Sequence, residues 1–174
     1  MPAVKENTMA TGMIQQEMAR PEGDELTTDS VKKNINMPPE LQEAYERVVI
    51  AGMKVMFSKE SHRAMLAEIQ RGGPVAERLG KGISGLVLML FQESNKTMPP
   101  EVIIPAGMEL LMRAVDFLKD SGLEKVNNKD VGDAMEIMIT TILKTFGIGP
   151  EQMQQMLNQY SNENIPAAPQ QMGA

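Results

Sequence analysis

Apolar residues recur along this chain at intervals of three and four, in blocks separated by Pro and Gly. That spacing is the signature of helices that each turn one side inward. The first strong block follows Met37-Pro38-Pro39-Glu40 and carries Leu41, Ala44, Tyr45, Val48, Val49, Gly52 and Met56. Proline suits a first helical turn because its missing N–H would be unpaired there anyway. The spacing predicts a helix ending near Phe57, with Ser58 capping the next one. That second helix is amphipathic through Met65, Leu66 and Ile69, and Gly72-Gly73 stops it. Pro74 then opens a third, in which Leu86 to Phe91 are six apolar residues in a row. A helix apolar all round belongs in the middle of a fold, so Gly73–Phe91 is expected to be the central rod. Ala76, Gly80 and Ser84 place three small side chains on one of its faces, open to close approach by a neighbour.

Met98-Pro99-Pro100-Glu101 repeats the earlier start signal. Pro105 is expected to end a short first turn, since an internal proline removes a backbone hydrogen bond. Beyond it Gly107, Leu110, Leu111, Ala114 and Leu118 form an inward stripe, with Glu109–Arg113 and Asp116–Lys119 as surface pairs. After Asp120-Ser121-Gly122, Asn127 or Asn128 caps a helix facing inward through Val131, Met135, Met138, Ile142 and Phe146. Pro150 opens a last short helix with an apolar edge of Met153, Met156, Leu157 and Tyr160. Alternating β-branched runs do not occur. The pattern therefore predicts an all-α protein: a single bundle of five or six helices with a central apolar helix. Residues 1–36 are expected to form a flexible arm, 37–160 the helical domain and 161–174 a flexible tail. Met13, Ile14 and Met18, and Val31 and Ile35, have spacing for short helical turns in the arm, but no stripe there is long enough to fold alone, so disorder or docking on a partner is expected.

Composition narrows the functional classes. Among 174 residues there is no cysteine, and net charge is −6. Disulfides, thiolate metal sites and a cysteine nucleophile are therefore excluded. An acidic balance and 3% aromatic residues argue against binding nucleic acid, which needs clustered cations or stacking platforms. Seventeen methionines fit irregular core gaps and adaptable contact surfaces. No apolar run approaches the roughly 20 residues of a membrane-spanning helix, and the first twenty residues contain no secretory h-region.

Catalytic constellations are not apparent. The single histidine, His62, lies on or beside an apolar face and has no recognisable partner. Asp130, Asp133 and Glu136 lie three apart, but without a Glu-x-x-His pair they read as a solvated acidic turn matched to the helix dipole. Gly80-Lys81-Gly82-Ile83-Ser84-Gly85 lacks the order and the preceding strand of a phosphate loop. No catalytic residue, metal or cofactor is expected.

The cysteine-free helical domain, the Met1-Pro2-Ala3 and Thr8-Met9-Ala10-Thr11-Gly12-Met13 arm, and the Asn/Gln/Pro tail after Tyr160 resemble small virion-associated proteins of tailed bacteriophages. Such proteins are internal-core (ejection) or head-to-tail and neck components. The resemblance implies a non-enzymatic structural subunit, made in the host cytoplasm and residing in the virion. Its partners would be other protein subunits, as a homo-oligomer or a larger assembly. The candidate contact residues are Gly80, Gly82, Gly85, Leu86, Leu88, Met89 and Phe91, together with Met153, Met156, Leu157 and Tyr160. Two alternatives stand beside this reading. One is a membrane-active translocation component inserting Gly80–Phe91, and the other is a cytosolic adaptor whose helical groove holds a partner helix.

Overall fold

The computed structural model describes residues 26–149 and 151–152, less the side chains of residues 65, 66, 68 and 69. The sequence-expected edge at Met153, Met156, Leu157 and Tyr160, the tail 161–174 and most of the arm lie outside the described residues. Six helices make up the described chain, with no strand: α1 Thr28–Asn34, α2 Pro39–Met56, α3 Lys59–Arg71, α4 Val75–Glu93, α5 Pro100–Asp120 and α6 Asn128–Thr145. The chain is an all-α bundle, as the periodicity predicts.

The caps follow the local chemistry. Ser58 Oγ accepts from Ser61 N–H at 3.2 Å at the start of α3. Asn127 and Asp130 form a reciprocal capping box on α6, each side chain bonding the other's N–H at 3.0 Å. Gly72 and Gly73 adopt φ of +73° and +95°, and the left-handed backbone ends α3 where glycine permits it.

Two expectations change here. The central position belongs to α5, not to Gly73–Phe91. Val102, Ala106, Leu110, Leu111, Met112 and Val115 are all 0% exposed, and α5 touches α1, α2, α4 and α6. Helix α4 buries Val87 and Leu90 but leaves Met89 37% exposed. Its six-residue apolar run is therefore split between core and surface. Helix α5 is also unbroken through Pro105. At the sixth helical position, proline forfeits one bond, to the Glu101 carbonyl, while fifteen residues continue the helix beyond it.

The domain also begins earlier than expected. Thr27 and Ser30 form a capping box on α1, and Val31 is buried at 6%. Leu26 N–H donates to Asn128 Oδ1 at 3.3 Å and Thr28 Oγ1 donates to Asp116 Oδ2 at 2.6 Å. Residues 26–36, assigned to the arm by pattern, thus belong to the bundle.

Close crossings are made at glycines. A Cβ on Gly80 would lie 2.7 Å from the Ala134 carbonyl oxygen, and one on Gly52 would lie 2.5 Å from Leu110 Cδ1. The small face at Ala76, Gly80 and Ser84 is buried, and Gly80 rests on α6 as its spacing predicts. Phe91 meets Phe146 edge-on at 5.1 Å between ring centroids. Because 80 pairs with 134–137 and 91 with 146, α4 and α6 run parallel.

Candidate functional site

The side of α4 turned away from α6 is open. Val75, Arg78, Gly82, Gly85, Leu86 and Met89 recur at helical spacing along it. Val55 and Met56 at the end of α2, Ser61 and Ala64 on α3, and Ala114 and Leu118 on α5 supply the other walls. Together they enclose a groove of about 460 Å³. Its lining is almost wholly apolar. Arg78 and Glu124 are ion-paired to each other within it, and Arg78 also donates to the Gly73 carbonyl at 3.4 Å. Arg78 Nε and Glu124 Oε2 are buried with no hydrogen-bond partner. Helix α3 is fixed by the end of α2 and by rings: Phe117 on α5 stacks edge-on against Phe57 at 5.6 Å and His62 at 5.9 Å. His62, expected on or beside an apolar face, is exposed and meets the Phe117 ring.

Of the sequence-derived contact residues, Gly82, Gly85, Leu86 and Met89 line the groove. Gly80 and Phe91 instead pack on α6, and Leu88 is half-buried. Tight helix packing therefore explains Gly80 but not its neighbours. A Cβ at Gly82 or Gly85 would meet nothing within 4 Å.

A second feature escapes the periodic pattern. Glu109 is 2% exposed. Tyr45 O–H from α2 donates to Glu109 Oε2, while Arg113 Nε and Nη2 donate to Oε1 at 2.9 and 2.5 Å. Lys32 Nζ from α1 stands 3.6 Å away. The Glu109–Arg113 pair forms as spaced, but its acidic end is in the core rather than on the surface. Burial pushes the Glu109 carboxyl up; the hydrogen bonds from Tyr45 and Arg113 and the charges of Arg113 and Lys32 outweigh it, so its pKa falls below the ordinary value. Burial first, and then donation to that carboxylate, raise the Tyr45 hydroxyl. A buried tyrosine O–H requires an acceptor, so the place of Tyr45 on an inward stripe was a usable signal that a polar group lay opposite. Its identity was not.

No group of three or more His, Asp or Glu among the described residues can hold a metal ion. Asp130 is spent on the α6 cap, and Asp133 pairs with Lys129 at 2.5 Å. Among the described residues no helix is long and apolar enough to cross a membrane. Compared with protein-family models, with curated proteins and with solved structures, the chain gives no match in any of the three.

Proposed function

We propose that this protein is a non-enzymatic assembly component that acts through contacts with other polypeptide subunits, with the α2–α5 groove as its receiving surface. The groove's polarity carries this reading. Small-molecule sites of such volume combine apolar walls with several convergent polar groups that orient the ligand. Here the charges of Arg78 and Glu124 are paired with each other, leaving only Arg78 Nε and Glu124 Oε2 without a hydrogen-bond partner, and Ser61 Oγ is engaged with Ser58 at 3.2 Å. What remains is a long apolar trough, the form that accepts an amphipathic helix through anchors at i, i+3, i+4 and i+7. The setting we propose is a phage particle, as an internal ejection, neck or head-to-tail component. That part rests on the character of the chain ends alone.

Sedimentation of the full chain over a concentration series, with isolation from its native source, tests the proposal. Species heavier than 19.2 kDa, or stoichiometric retention in a particle, are expected. A chain that stays monomeric at high concentration and travels with no assembly contradicts it.

A further inference from the structure

We propose that the groove receives residues 153–160 of a second copy of this chain. The inference rests on the assembly reading and names the partner. Met153, Met156, Leu157 and Tyr160 fall at i, i+3, i+4 and i+7, the anchor spacing a helical groove takes. Residues 151–152, just before the segment, are helical. No residue from 152 to 161 is charged, which suits a groove whose two charges neutralise each other. By contrast, the stretch before Leu26 carries Lys5, Glu6, Glu17, Arg20, Glu22, Asp24 and Glu25, with Pro21 and Gly23 as breakers.

Geometry selects a second copy over the chain's own tail. The Ile148 N–H bonds the Leu143 carbonyl at 2.9 Å, which pins the exit over the end of α6. That end lies by Phe91, on the face of α4 turned away from the groove. Crossing to the groove means passing half-way round a helix 10–12 Å wide, roughly 16–19 Å. Met153 lies five positions beyond Ile148, and the 3.1 Å bond from Gly149 N–H to Gln152 Oε1 holds residues 149 and 152 close together. Fully extended, five residues span at most about 18 Å; folded, they fall well short. The bare floor at Gly82 and Gly85 fits the close approach of another backbone. Each glycine costs the helix about 1 kcal/mol relative to Ala, with no packing inside the described chain to require it.

The absence of cysteine makes the test clean. Copies carrying only Gly85→Cys are mixed with copies carrying only Met156→Cys under mild oxidation. A disulfide-linked pair joining one of each is expected. It should fall at least tenfold when Leu157→Asp accompanies Met156→Cys, and should not form when Gly132→Cys on α6 replaces Gly85→Cys. Failure to form the pair overturns the inference, as does a doubly substituted chain, Gly85→Cys with Met156→Cys, that closes only within itself. Self-association that persists without the crosslink retains the assembly reading and removes tail insertion alone.

Discussion

Glu109 shows how a single carboxylate can tie three helices together. Its two oxygens are divided between Tyr45 on α2 and Arg113 on α5, with Lys32 of α1 closing the third side. Removing the Tyr45 hydroxyl leaves one oxygen short of a donor in a buried setting, so Tyr45→Phe should lower stability by about 1–3 kcal/mol in denaturant unfolding. The cluster also sets an acid response. The Glu109 pKa is lower folded than unfolded, so its contribution is complete above the unfolded value of about 4.3 and is lost as pH falls through the folded one. Unfolding midpoints measured from pH 7 to pH 3 should therefore decline more steeply for the natural chain than for Glu109→Gln, which has no proton to take up there. Parallel declines would assign the acid sensitivity elsewhere.

Among the elements, α4 carries two glycine roles within three residues. Gly80 is where α4 lies against α6, and a methyl group there would press on the Ala134 backbone. Gly80→Ala should cost about 1–3 kcal/mol, the scale of overpacking. Gly82 faces the groove with empty space beyond it. Gly82→Ala should therefore raise stability by about 0.5–1 kcal/mol while weakening self-association. The opposed signs, read by thermal unfolding of the two variants, separate packing from docking. The helices themselves were legible because their boundaries rest on local chemistry: prolines at 39 and 100, the Asn127 cap and the Gly72-Gly73 stop all act within a turn. Which helix lies at the centre was not. Leu86–Phe91 is more uniformly apolar than any stretch of α5, yet burial depends on how many neighbours a helix finds. Helix α5 is flanked by four, while one side of α4 opens onto the groove. Glu109 was misread for the same reason. A glutamate four residues before an arginine looks identical on a solvated face and beneath a docked α1.

At the scale of the whole molecule, the fold divides into a sealed side and an open one. Helices α1, α2, α4 and α6 close around the 0%-exposed residues of α5, and the far side of α4, with α3 and the ends of α2 and α5, leaves the trough. If tails of successive copies fill successive troughs, the contact is head-to-tail, and such contacts close into rings or extend as filaments according to the rotation between copies. Four of the sequence-derived contact residues converge on this trough because they share a helical stripe. The groove as a whole could not be read from pattern, since its walls come from four helices whose mutual placement no local spacing encodes.

The most direct measurement is sedimentation velocity of Met89→Asp beside the natural chain at matched concentrations. Met89 is 37% exposed and lines the trough, so a carboxylate there is hydrated while the trough is empty and would be desolvated by any apolar segment seated on it. The account predicts unchanged helical circular dichroism and loss of the heavier species the natural chain forms. Heavier species persisting in the variant at natural levels, with the fold intact, would contradict it.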